Sequence, residues 1–147
     1  MIYDYIFDLD GTITVSKHRQ HFVESSPKDW KSFNKAAEFD TPNHSVISVM
    51  NDLYHCGKNI LILTGRSIEY REMTLNWLYK NDVPYNTIIM RPLNDNSPDT
   101  EYKKRMYESF SEEQKKKLIC CFEDRSRVVV MWRNIGVSCF QVIDGEY

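Results

Sequence analysis

Residues 5–13 read Tyr5-Ile6-Phe7-Asp8-Leu9-Asp10-Gly11-Thr12-Ile13 (YIFDLDGTI), an apolar run that meets two carboxylates and a glycine. Tyr, Ile and Phe favour a pleated, half-buried surface, and within IYDYIFD they predict a first strand. Two acids two residues apart point the same way along a strand. Gly11 lets the chain turn sharply and expose N–H groups that can cradle an anion. Aspartate before glycine is also ordinary turn chemistry, so the stretch alone leaves two readings: turn formers, or reactive groups at the mouth of a strand.

Working outward, apolar runs alternate with helical patterns. SVISVMNDLYHCG puts Val46, Met50, Leu53 and Tyr54 on one helical face closed by Gly57, and NILILT is a second strand. Ser67 caps a helix over IEYREMTLNWLYKN with Glu69 in its positive first turn, and TIIMR is a third strand. Asp99 opens a helix in which Tyr102, Met106 and Phe110 share a face. Ser111 and Gln114 have capping-box spacing, and KLICCFE is a fourth strand. SRVVVMWRNIG is a helix ended by Gly136, and VSCFQVI a fifth strand. Strands separated by helices of this length build right-handed βαβ units. The expected fold is α/β: one domain over residues 1–147, three-layered, with a central, mostly parallel sheet of about five strands.

Residues 14–44 break this rhythm as a polar insertion after the first strand, with scattered aromatics and a short helix expected over residues 28–38. Segments of this size are commonly lids or binding elements. Phe22, Trp30 and Phe33 are expected to form its small core, with stacking on a base as the other reading. His18 and His21 lack further metal-ligand partners and read as ordinary polar residues.

Composition bounds the function. A net charge of −2 supplies no global footprint for nucleic acid, which leaves only a local patch. Lys115–Lys117 reads as a solvated helix edge. There is no basic leader and no run of roughly 20 apolar residues, so a cytoplasmic protein without a membrane partner is expected. Cys56, Cys120, Cys121 and Cys139 lack metal or redox spacing, and three sit inside apolar runs as small buried residues. The oligomeric state is not set by the sequence.

In an open parallel sheet, ligands bind outside the carboxyl ends of the strands. Asp8 and Asp10 end the first strand, Thr64-Gly65-Arg66 the second, Arg91 the third and Glu123-Asp124 the fourth. Carboxylates gathered there repel one another unless a cation holds them, and oxygen-only ligands favour Mg²⁺. Thr64 and Gly65, near the positive end of a helix starting at Ser67, add phosphate donors. Arg66 and Lys103 supply positive charge for a phosphoryl group. Arg91 contacts substrate or pairs with an acid.

DLDGT at residues 8–12, LILTGR with Thr64, the helical Lys103 and the pair Glu123-Asp124, in that order, resemble the haloacid dehalogenase (HAD) superfamily. CFEDRSRVVVMWRNIGVSCFQVIDGEY, with TGR ahead of YREMTLNWL and the MRP segment, resembles the 3′-phosphatase domain of phage polynucleotide kinase/phosphatases. The resemblance implies a Rossmann-like core with a small cap at residues 14–44. It implies Asp8 as nucleophile, Asp10 as general acid and base, and Thr64 and Arg66 on phosphoryl oxygens. Lys103, four residues after Asp99 and preferred to Lys104, would offset the charge of Asp8. Leu9, Gly65 and Arg91 would bind substrate. Mg²⁺ would be held by Asp8, the Asp10 carbonyl and Asp124, with Glu123 acting through water or as an anchor.

Two departures stand out. No G-x-x-x-x-G-K-[ST] motif occurs, so a phosphatase with no kinase domain in the chain is expected. Glu123 stands where the family pattern has aspartate, and the insertion is longer. The implied activity is a Mg²⁺-dependent phosphomonoesterase that works through an aspartyl-phosphate on polynucleotide 3′-ends. A 5′-nucleotidase-like enzyme for mononucleotides or another small phosphorylated metabolite is the second reading, favoured by the near-neutral charge. A catalytically idle phosphate-binding module is the third, and the intact Asp8/Asp10 pair weighs against it.

Overall fold

The computed structural model describes residues 1–146. Its strands are β1 (Tyr5–Phe7), β2 (Thr14–Val15), β3 (Thr41–Pro42), β4 (Ile60–Ser67), β5 (Thr87–Arg91), β6 (Cys120–Arg125) and β7 (Cys139–Gly145). Its helices are α1 (His21–Glu24), α2 (Trp30–Lys35), α3 (His44–His55), α4 (Arg71–Lys80), α5 (Asp99–Glu108), α6 (Glu112–Lys117) and α7 (Ser126–Asn134). The main sheet runs β5-β4-β1-β6-β7 with every pairing parallel. The strand order reverses beside β1, and that switch point opens a crevice at the carboxyl ends of β1 and β6.

Side-chain alternation along the strands explains the three layers. Ile6 joins Leu61, Leu63 and Cys121 under Tyr102 of α5 and Val128, Val129 and Trp132 of α7. Phe7 joins Ile60 and Ile62 under α3 and α4, against Val46, Ile47, Met50, Trp77 and Leu78. Successive residues of a strand point to opposite faces, so a short continuous apolar run such as ILIL fills both cores. Each fully buried aliphatic or aromatic side chain contributes about 1.5–3 kcal/mol. Ser111 and Gln114 form the expected capping box, and Cys120, Cys121 and Cys139 are buried and free.

Three local expectations are corrected. On α3 the apolar stripe runs out in the last turn: Tyr54 is exposed, Leu53 packs only partly, and Ile47 is a buried member instead. The second strand does not end at Thr64 but continues to Ser67, with a register shift against β5 between Thr64 and Ser67. Ser67 Oγ then accepts the Glu69 N–H and caps a 3-10 turn over Ile68–Tyr70 before α4 begins. Gly65 therefore lies in a strand irregularity and not at a helix N-terminus.

The insertion leaves and rejoins the core through an antiparallel ribbon that pairs Thr14 with Pro42 and Val15 with Thr41. Val23, Phe33 and Ala37 form its buried part, while Phe22 is only half-buried and Trp30 is 41% exposed. Of the three aromatics expected inside, Phe33 alone is fully enclosed. The Trp77 indole N–H of α4 donates to the Asp40 carbonyl at 2.9 Å and fastens the insertion to the core. No helix among the described residues is long and apolar enough to cross a membrane.

Candidate active site

The backbone after β1 departs from a strand at once. Asp10 (φ −70°, ψ 116°) and Gly11 (φ 83°, ψ −5°) have the dihedrals of a type II turn, whose second central position is left-handed, a conformation that glycine adopts without a Cβ penalty. Asp8 and Asp10 still reach one cavity, through this turn and not through strand alternation. The Leu9 side chain between them is fully buried in the core, so Leu9 offers a ligand only its main chain. The cavity has a volume of about 800 Å³, and its floor includes Asp8, Asp10, Arg66, Lys103, Glu123 and Asp124.

Asp8 Oδ1 accepts from Lys103 Nζ at 2.7 Å, and the same ammonium donates to Glu123 Oε1 at 2.7 Å. Helix α5 delivers Lys103 because Tyr102 beside it is anchored in the core; Lys103 is 1% exposed, whereas Lys104 is exposed. Glu123 Oε1 also accepts the Trp132 indole N–H at 3.1 Å. Asp8, Glu123 and Asp124 each place a carboxylate oxygen within 4.8 Å of the others, and all three are buried. Burial pushes the Asp8 carboxyl up, with Asp10 and Asp99 adding to it against the pull of Lys103. Burial, with the Asp8 charge, pushes Glu123 up to about 8 despite Lys103. Burial would lower the Lys103 ammonium, but Asp8 and Glu123 outweigh it and hold that group well above its ordinary value.

Three buried carboxylates with oxygen atoms this close together suit a hard divalent cation with oxygen ligands. A pH dependence follows. Above the ordinary glutamate value of 4.5 and up to about 8, the folded protein binds more protons at Glu123 than the unfolded chain does, so stability falls as pH rises through that window. Asp10, held far below this range, stays ionised across it and adds no slope. The melting temperature in EDTA is expected to fall from pH 5 to pH 8, and Mg²⁺ to raise it most at the alkaline end. An unchanged slope with Mg²⁺ would exclude the cluster as a metal site.

Asp10 sits in a different frame. Its Oδ1 accepts from Arg66 Nη2 at 2.5 Å and pairs also with Arg19. Burial pushes the Asp10 carboxyl up, but the Arg66 and Arg19 guanidiniums outweigh it and hold it well below the usual carboxylate range. Arg19 is fully buried: Nε and Nη2 grip Asp40 Oδ1 and Oδ2 at 2.7 and 2.5 Å, Nη1 donates to the Phe33 carbonyl, and the guanidinium lies 4.2 Å from the centre of the Phe33 ring. Sequence reasoning misses Arg19 because it lies between two histidines in a polar segment without periodicity. Its partner Asp40 is 21 residues away.

The remaining expected residues are placed as follows. Thr64 is fully buried, and its Oγ1 accepts the Arg66 N–H at 3.0 Å. Arg66 Nη1 donates to Thr74 Oγ1 at 3.0 Å, while its Nε is buried without a hydrogen-bond partner among the described residues. An orphaned buried donor costs about 1–3 kcal/mol, which an anionic oxygen in the cavity would recover. Arg91 pairs with Asp99 and donates to the Gly65 and Ser97 carbonyls at 2.7 and 2.6 Å, so of its two readings the structure displays the ion pair. Asp99 is also bound by Arg125 at 2.9 Å. Gly65 is required by this packing: a Cβ there would lie 2.9 Å from Asp99 Cγ and 3.1 Å from Arg91 Nη2. Arg125, Asp99 and Trp132 were not singled out from sequence as site residues, since each matters only through partners distant in the chain.

The profile of the polynucleotide kinase phosphatase-domain family matches residues 3–147. A protein of Autographa californica nuclear polyhedrosis virus, named for polynucleotide kinase and RNA ligase, is 27% identical over 132 residues, which cover 88% of this chain and 18% of that protein. A chain of the Pnkp1/Rnl/Hen1 complex superposes with a TM-score of 0.82 at 30% identity, covering 100% of this chain and 48% of its own length. The chain thus spans under half of these longer relatives. The class C acid phosphatase of Bacillus anthracis shares the fold, with a TM-score of 0.66 at 12% identity over 99% of this chain and 67% of that one.

Proposed function

The chain belongs to the polynucleotide kinase phosphatase-domain family and is a HAD-type phosphatase, and from that premise we propose that it removes 3′-phosphates from polynucleotide ends with Mg²⁺ as cofactor. The observation that carries this reading is that two carboxylates share one cavity in separate electrostatic frames, Asp8 against Lys103 and Asp10 between Arg19 and Arg66. A module that only binds phosphate has no use for that division.

In the proposed reaction, Asp8 Oδ attacks phosphorus and forms an aspartyl-phosphate, while the bond from phosphorus to the ribose oxygen breaks. Asp10 gives that oxygen its proton. Water then attacks phosphorus, Asp10 takes the water's proton, and inorganic phosphate leaves with Asp8 restored. Asp8, the Asp10 carbonyl and Asp124 would hold Mg²⁺, with Glu123 acting through water or as an anchor oriented by Trp132. The bound ion would neutralise charge on the phosphoryl oxygens.

Substrate also explains how Asp10 acquires its proton. Burial is the largest influence on Asp10 and acts upward. A phosphate that takes over Arg66 removes one of the two guanidiniums that oppose it, so Asp10 moves toward the protonated form it needs. Thr64 and Gly65 shape the Arg66 turn, the Leu9 main chain borders the phosphate, and Arg91 acts on substrate by bracing Gly65. Free buried cysteines accord with a cytoplasmic setting.

The test is phosphate release, with and without Mg²⁺, from a 3′-phosphorylated oligonucleotide, from mononucleotides and from p-nitrophenyl phosphate. The oligonucleotide is expected to have the highest kcat/KM, and only with Mg²⁺. Better turnover of mononucleotides would establish the second reading, to which the net charge of −2 lends weight. No release from any of them would leave the idle binder.

A further inference from the structure

We propose that Trp30, at the lip of the cavity, is the stacking platform for a base of a single-stranded polynucleotide whose 3′-phosphate lies at Asp8, with Lys28 and Arg127 facing the adjoining backbone phosphate. This rests on the functional reading above and narrows its substrate to a strand, as opposed to a single nucleotide or a nick in a duplex. Trp30 begins α2, and the core position of that helix is filled by Phe33, which is 3% exposed and meets the Trp30 ring edge-on at 5.5 Å. The indole keeps 41% of its surface exposed while it lines the cavity. Lys28 Nζ lies 5.6 Å and Arg125 Cζ 5.5 Å from the ring centre, within cation–π reach. One cation comes from the insertion and the other from the end of β6, so the aromatic is framed from both walls.

Charge is sorted by depth. On the floor the acids are paired: Asp8 and Glu123 with Lys103, Asp10 with Arg19 and Arg66, and Asp99 with Arg91 and Arg125. At the lip, the exposed Lys28, Lys31 and Arg127 line the same cavity and form no salt bridge among the described residues, against one exposed acid, Glu69, since Asp95 is paired with Arg91 and Arg105. This local excess of positive charge stands on a chain whose net charge is −2. One terminal phosphate is served by the floor alone. An aromatic face interleaved with cations beyond it is the arrangement that tracks a single strand, base on ring and phosphodiester on cation. A base paired within a duplex is stacked on both neighbours and offers Trp30 no face; only the outermost pair of a blunt end leaves one open.

Fluorescence can read this directly, because Trp77 and Trp132 are 6% and 0% exposed and Trp30 is the accessible indole among the described residues. Six-nucleotide DNA and RNA strands ending in a 3′-phosphate, added to the full chain in EDTA, are expected to quench it saturably. A 3′-phosphate flanked by duplex on both sides at a nick, and inorganic phosphate, are expected not to do so. Trp30→Ala should lower the ratio of kcat/KM on the strand to kcat/KM on p-nitrophenyl phosphate by about 5- to 100-fold, with Trp30→Phe restoring most of it. Equal loss on both substrates, an unchanged ratio, or a nicked duplex that quenches as well as the strands would overturn the platform. A wild type that hydrolyses mononucleotides but not strands would instead overturn the functional reading beneath it.

Discussion

Replacing Asp8 with asparagine is expected to lower kcat/KM for phosphate release by about three orders of magnitude or more, with the protein still folded. Asparagine keeps the shape of aspartate, and its carbonyl oxygen can still accept from Lys103 Nζ or Thr12 Oγ1, the two donors that Asp8 uses. What it loses is the proposed nucleophile. The change also removes a carboxylate whose burial disfavours its own charge, so the melting temperature in EDTA should move by only a few degrees. Acid quenching during turnover of a ³²P-labelled substrate should trap protein-bound phosphate on the wild type and none on Asp8→Asn. Undiminished turnover by the variant would end the aspartyl-phosphate mechanism.

Arg19→Ala should be the most damaging change in the insertion. The side chain is fully buried and serves two carboxylates, Asp10 in the core and Asp40 in the insertion. Removing one member of a buried ion-pair network leaves its partners uncompensated and costs about 3–5 kcal/mol, measurable as a lower ΔG of unfolding in urea. Arg19→Lys should recover little, because one ammonium cannot grip both oxygens of Asp40 and also reach Asp10. Activity should shift in a way that simple loosening would not produce. With only Arg66 left to oppose burial, the Asp10 carboxyl rises, and the limb of the pH–rate profile that reports it moves to higher pH. A variant within 1 kcal/mol of the wild type, by the same urea measurement, would show that this network carries little of the stability.

These two residues mark the division between what could be read in one dimension and what could not. Asp8 was legible because YIFD is a strand by composition and because ligands gather at the carboxyl ends of parallel strands. The same logic places Asp10, Asp124 and Glu123 on one edge, and the offset from Asp99 that the resemblance implies favours Lys103 over Lys104. Residue type places Trp30 in the core of the insertion, with stacking on a base as the other reading, and the structure seats it on the cavity lip.

The alternation of strands and helices, the parallel sheet and the set of acids at its edge are readable in one dimension, because each follows from backbone periodicity and turn chemistry within about a dozen residues. Packing in three dimensions brings Lys103 to Asp8 across 95 positions of chain, lets Arg19 clamp Asp10 to the insertion through Asp40, and sets Arg91 to brace Gly65. Ion pairs of this kind form where distant segments cross, and burial makes them strong. A charged residue in a polar segment carries no local sign of the partner that packing will bring to it.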